Sequence, residues 1–301
     1  MNVEGWFTNP HLEAGRPRPG VTKSQDSTFR NHFGPMMCGQ RKGVELQAPA
    51  PKLEFASTIP TTLSQVEEVV HEPFESLYQG QSGPEVKRVQ TVLKKWNKNL
   101  GVSVSGRYDN ATRKALTLFK AIYGGEGHGG QIDRTTATHL RKMEDGTFWI
   151  DPPPKTPRQQ MLYHASRDLG KPYVLGGDGV HSTDCGKLTS EALKHSGVEG
   201  VSRLADMQYR AAKKGEHGLG LHKQEPTAGD LVFFRVPTRQ SSIAYDGVTH
   251  VTMYVGDGLT LAASSAAGKV ILQPLSQLQP YVAGFGSLDH DTLAANMERK
   301  S

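Results

Sequence analysis

The chain has 301 residues, with 35 Lys and Arg against 30 Asp and Glu for a net charge of +5, and only two cysteines. That length provides for two domains and at least one sizeable core, while two cysteines exclude a disulfide framework. The modest basic excess suits work at an anionic surface such as cell wall, nucleic acid or membrane, and no apolar run approaches the roughly 18 residues of a membrane span.

The opening, MNVEGWFTNPHLEAGRPRPG, lacks a basic region followed by an apolar one, so no secretory signal is expected. Residues 1–70 are rich in Gly, Pro and polar side chains without a sustained period, and read as extended or disordered, or as a segment ordered by a partner. Trp6, Phe7, Phe29 and Phe33 suit a docking role, although a tail needs none; Cys38 carries no helix signal and reads as incidental.

A helix is predicted over SGPEVKRVQTVLKKW, where Val86, Val89, Leu93 and Trp96 recur at spacings of three and four. An internal repeat follows. GRYDNATRKAL (Gly106 to Leu116) and GQIDRTTATHL (Gly130 to Leu140) share Gly, Asp, Thr and Leu at the same offsets, each reading as a glycine turn, an aspartate N-cap (Asp109, Asp133) and a helix. The three helices resemble the peptidoglycan-binding domain that anchors cell-wall hydrolases, at Gly80, Gly83, Val86, Gln90, Leu93, Thr112, Phe119 and Leu140 among other positions. Most of these are core and turn positions, which speak to fold more than to ligand.

IDPPPKTPRQQ is a proline-marked linker, and the second domain is expected to begin near Gln159 with the helix RQQMLYHASRDLG. After the glycines of KPYVLGGDGV, the stretch HSTDCGKLTSEALKHSG offers the N-caps Ser182, Thr183 and Asp184, then Leu188, Ala192 and Leu193 at helical spacing, with Gly197 as a stop. Cys185 therefore falls at a helix N-terminus, where the dipole favours the thiolate; the bland alternative is a small buried hydrophobe. PTAGDLVFF is a turn into a strand. In HVTMYV, His250, Thr252 and Tyr254 alternate with Val251, Met253 and Val255, and Gly256-Asp257-Gly258 turns into a return strand from Leu259 to Ala263.

GKPYVLGG, DCGKL, GDLVFF and HVTMYVGDG, in that order, resemble the NlpC-type cell-wall peptidases, a papain-like cysteine peptidase family, over about Gln159 to Leu288. The resemblance implies Cys185 as nucleophile, His250 as general base and acid, and Asp184 and Tyr173 as the pair that holds the free amine of the stem peptide's L-alanine. Helix capping for Asp184 and core packing for Tyr173 stand beside those roles. Gly186 and Lys187 depart from the serine and glycine usual after the cysteine. Twelve residues beyond His250, where the family carries a polar residue that orients the base, stands Ala262. With a three-residue hairpin loop Ser264 faces His250 and becomes the candidate stand-in; with a two-residue loop Ser265 does, and a backbone carbonyl is a further option.

The expected fold is α+β: a segment at 1–70, a three-helix peptidoglycan-binding domain at 71–147, a linker at 148–158, a papain-like NlpC-type peptidase domain with an antiparallel sheet at 159–290, and a tail at 291–301. The expected function is hydrolysis of a stem-peptide amide, foremost the γ-D-glutamyl bond to the diamino acid, with an amidase or a non-catalytic wall-binding protein as alternatives. No cofactor, metal or nucleic-acid partner is expected. Without a signal, delivery to the wall would use a lysis, phage-tail or specialised secretion route, with residues 1–70 docking to that machinery.

Overall fold

The computed structural model describes Phe74 and residues 77–125, 130–146, 154–237 and 245–288, all within one compact unit. The expected docking segment, Cys38 and the C-terminal tail lie outside these residues.

Three helices open the described chain: α1 (Pro84–Trp96), α2 (Asn110–Tyr123) and α3 (Arg134–Glu144). The repeated sequence is a repeated cap. Asp109 Oδ1 accepts from the Thr112 N–H at 2.8 Å, and Asp133 Oδ1 accepts from the Thr136 N–H at 2.8 Å. Each threonine hydroxyl also donates back to its aspartate, and Leu116 and Leu140 end each copy fully buried. Gln90, buried in α1, accepts from the Gly106 N–H at 2.8 Å and donates to the Thr112 hydroxyl at 3.0 Å, tying the first turn to α1. Tyr108, pushed well above the usual phenol range by burial, donates its hydroxyl to the Gly130 carbonyl and so joins the two copies. Replacing either capping aspartate by alanine is expected to cost about 1 kcal/mol, read as a lowered midpoint in urea unfolding.

The second part starts two residues before the expected Gln159: α4 (Pro157–Arg167) is capped by Thr156 in a capping box with Gln159, with Pro157 in the first turn, where its missing N–H is no loss. α5 (Cys185–His195) and α6 (Ala205–Lys214) follow. The strands β1 (Leu219–His222), β2 (Leu231–Phe234), β3 (His250–Gly256), β4 (Leu259–Ser264), β5 (Lys269–Pro274) and β6 (Val282–Leu288) form one antiparallel sheet of order β1-β6-β2-β3-β4-β5.

The period-two pattern of β3 sorts the two faces of this sheet. Val251, Met253 and Val255 join the main core with Leu188, Ala192 and Leu193 of α5, while Tyr254 packs with Val232, Phe234 and Phe285 in a separate cluster. α5 lies against β3 and β4, and α4 against α5. Each fully buried leucine of that layer contributes about 1.5–3 kcal/mol.

The first three helices do not hang on a free tether. α2 packs against α4 and β3, and hydrogen bonds run from Asn97 to the Ser166 carbonyl (2.9 Å), from Asn99 to the Leu169 carbonyl (2.7 Å) and from the Thr117 hydroxyl to Asp257 (2.9 Å).

Candidate active site

Cys185 is the first residue of α5, and its N-cap is Asp184. The Asp184 carboxylate has three donors: the Lys187 N–H on Oδ1 at 2.8 Å, and on Oδ2 the Gly176 N–H at 2.8 Å and the Arg203 guanidinium at 2.7 Å. The capping role is thus realised, and the same side chain fastens the glycine loop to the helix start. Arg203, which also donates to the Gly177 carbonyl at 3.2 Å, escaped the sequence reading because nothing local marks a loop arginine for a carboxylate nineteen positions away.

The glycine at 186 has a steric cause. A Cβ there would meet the Arg203 carbonyl oxygen at 1.9 Å, so the space at the second helical position is occupied by the chain entering α6, not held open for substrate. Gln208, fully buried, locks that approach by donating to the Gly186 carbonyl at 3.0 Å and the Ser202 carbonyl at 2.9 Å. Lys187 pairs with Glu191 one turn on, at 2.7 Å.

Tyr173 runs beside the residue before Asp184. It forms a parallel bridge with Thr183, and its N–H donates to the Gly268 carbonyl at 2.8 Å, which links the cysteine helix's entry to the β4–β5 turn. In the loop between, hydrogen bonds from the His181 ring and then from the backbone N–H groups of His181, Ser182 and Val180 hold the Asp178 carboxyl well below the usual range. His181 itself is exposed on that loop, and His195 stacks on His164 at 4.1 Å, away from the helix start.

His250 opens β3, 1% exposed, with its ring centroid 5.7 Å from that of Phe234, its direct neighbour on β2. The approach to it is clamped by Asp206 of α6, which accepts from the N–H groups of Tyr245 (2.9 Å), Asp246 (3.0 Å) and Val248 (3.0 Å). Because α5 lies on β3 and β4, the helix that begins at Cys185, itself 8% exposed, is set against the strand that begins at His250.

The hairpin answers the register question in an unforeseen way. The turn is the two-residue type, Asp257-Gly258, both with positive φ, as a mirror-image turn requires. A register shift between Tyr254 and Gly256 absorbs one residue, however, and beyond it Met253 pairs with Leu261. Carried on along both strands, that register sets Thr252 against Ala262 and His250 against Ser264, the arrangement a three-residue loop was expected to give. Ser264 is buried, and its hydroxyl accepts from the Ala267 N–H at 3.2 Å, holding the β4–β5 turn. Ala262 is fully buried and brings no polar atom to its side chain.

The NlpC/P60 family model matches residues 170–283, a span that contains both the cysteine helix and the histidine strand. The probable endopeptidase p60 of Listeria seeligeri is 31% identical over 126 residues, 42% of this chain and 21% of that protein, so the chain spans about a fifth of that relative's length. The γ-D-glutamyl-L-lysine dipeptidyl-peptidase of Bacillus cereus is 30% identical over 139 residues, covering 46% of this chain and 38% of that one. The peptidoglycan endopeptidase RipB of Mycobacterium tuberculosis is 32% identical over 190 residues, covering 57% of this chain and 70% of that one. With a relative matched over most of its length and the family model lying across the helix of Cys185 and the strand of His250, the chain belongs to the NlpC/P60 family.

Proposed function

We propose that this chain is a cysteine peptidase that hydrolyses an amide bond in the stem peptide of peptidoglycan. The observation that carries the reading is the capped helix beginning at Cys185 laid against the strand beginning at His250. The names of the p60, RipB and Bacillus cereus relatives, two endopeptidases and a γ-D-glutamyl-L-lysine dipeptidyl-peptidase, point the same way.

In this mechanism His250 takes the proton of the Cys185 thiol, and the thiolate attacks the amide carbon to give a tetrahedral oxyanion. The N–H groups at the opening of α5 point along the helix axis toward that charge; Asp184 takes the one of Lys187, leaving the first turn's earlier positions for the oxyanion. Collapse breaks the C–N bond, His250 returns its proton to the leaving amine, and a thioester remains. Water then adds with His250 as base, and hydrolysis restores the thiol and releases the carboxylate product.

The bond assigned is that between γ-D-glutamate and the diamino acid, with Asp184 and Tyr173 receiving the free amine of L-alanine. A carboxylate offers about four lone-pair directions; three are taken at Asp184, which leaves one for a substrate ammonium, beside Tyr173. The helices α1 to α3 serve as the wall-binding module, and their hydrogen bonds to the peptidase part fix the bound wall relative to the cysteine.

A soluble stem tetrapeptide beginning with free L-alanine is expected to be cleaved at least about tenfold faster, in kcat/KM, than its N-acetylated form, because acetylation removes the charge that a buried carboxylate recognises. Chromatography of timed digests measures this. Equal rates on the two peptides would remove Asp184 and Tyr173 from substrate recognition.

A further inference from the structure

We infer that the hydroxyl of Thr252 positions the His250 ring, at the place where Ala262 supplies nothing; this rests on reading His250 as the base. Thr252 is fully buried and its Oγ1 has no hydrogen-bond partner. A buried hydroxyl in that condition is destabilising, and a valine of the same shape would avoid the cost. Stability therefore gives no reason for a threonine here.

The surroundings of Thr252 narrow what the hydroxyl serves. Its direct partner on β2 is Val232, and the β3–β4 pairing, observed as far as Met253 and Leu261, extended by one residue sets Ala262 on its other side, so both lateral neighbours are apolar. Two residues on along the same face, the Tyr254 hydroxyl is engaged by the Gly258 N–H at 3.1 Å. Two residues back, on the same face and equally buried, is the imidazole of His250. Ser264, diagonal to Thr252, spends one of its two acceptor positions on the Ala267 N–H.

An imidazole that takes a thiol proton at one nitrogen works from a single tautomer, which an acceptor at the other nitrogen maintains. In the resting structure the Thr252 oxygen makes no hydrogen bond; it is the acceptor to which the ring N–H turns when the thiolate and imidazolium form, and the charged donor then holds the ring's orientation and offsets the cost of burying the hydroxyl. Thr252 is thus a positioning residue, acting on substrate through His250.

The test compares Thr252→Val, Thr252→Ser, Ser264→Ala and His250→Ala in the full chain, measuring kcat and KM on the soluble stem tetrapeptide together with the melting temperature. Thr252→Val is expected to lower kcat about 10- to 100-fold with KM unchanged and a melting temperature equal to or above wild type, since it removes an unsatisfied buried group. Thr252→Ser restores most of kcat, and a loss in Ser264→Ala as large as that in Thr252→Val would assign the acceptor to Ser264 and overturn the inference. If His250→Ala is inactive while Thr252→Val keeps wild-type kcat, the Thr252 assignment is overturned and the base reading stands. If His250→Ala retains full kcat, the base reading falls and takes this inference with it.

Discussion

Gly186→Ala is expected to destabilise the protein by about 3 kcal/mol or more and to lower its melting temperature by roughly 10 °C. The added methyl would stand 1.9 Å from the Arg203 carbonyl oxygen and 2.9 Å from its carbonyl carbon. Both contacts are backbone, so no side chain can swing away to relieve them. The stretch that would have to move is also held from three sides. Gln208 bonds the Gly186 and Ser202 carbonyls, and Arg203 bonds Asp184, the cap of the same helix. Relief of the clash therefore disturbs the cap of Cys185, and activity is expected to fall together with stability. Calorimetry of the purified variant measures the effect. A melting temperature within about 2 °C of wild type would mean that the entry to α6 yields freely and that the glycine has another cause.

Cys185→Ala is expected to lower hydrolysis of the stem peptide by about 10⁴-fold or more, because it removes the atom that forms the thioester while leaving in place the N–H donors of α5 that face the oxyanion. Cys185 is a small, 8% exposed residue at the first position of a helix, where alanine is readily accommodated, so the variant should melt near wild type. It should also bind insoluble peptidoglycan as the wild type does, since wall binding is assigned to α1 to α3. Sedimentation of protein with sacculi, alongside peptide hydrolysis, separates the two properties. A Cys185→Ala protein that still turned over peptide at the wild-type rate would exclude thiol catalysis at this position.

Much of this site can be read from short stretches because the signals are local. Asp184 before Cys185 is an N-cap, Asp109 and Asp133 are N-caps, and the alternation of HVTMYV divides β3 into a core-facing and an opposite side, as the two clusters of buried residues bear out. What could not be read depends on residues far apart in the chain. Arg203 on Asp184 and Asp206 under the Tyr245 to Val248 backbone are loop-to-helix bonds with no periodic or motif signature. β6 contains Gly284 and Gly286, which locally suggest turns; in the sheet a Cβ at Gly286 would press on Phe233 at 2.8 Å, so tertiary packing overrides the local preference.

The hairpin is the instructive case. The GDG stretch admits a two- or a three-residue loop, and the choice decides which serine faces His250. The structure takes the two-residue turn and a register shift together, restoring the register of the longer loop. A bulge costs one unpaired residue and leaves no composition signal that alternation would detect. The missing polar group at Ala262 followed from the family resemblance; the buried, unpartnered hydroxyl of Thr252 became visible only in the folded strand, beside Val232.

The most direct test of the account is digestion of purified sacculi with the wild-type chain and with Cys185→Ala, followed by mass analysis of the soluble fragments. The account predicts fragments from the wild type alone, with masses that place the cut between γ-D-glutamate and the diamino acid. Release of the same fragments by both proteins, or by neither while both bind the wall, would contradict it.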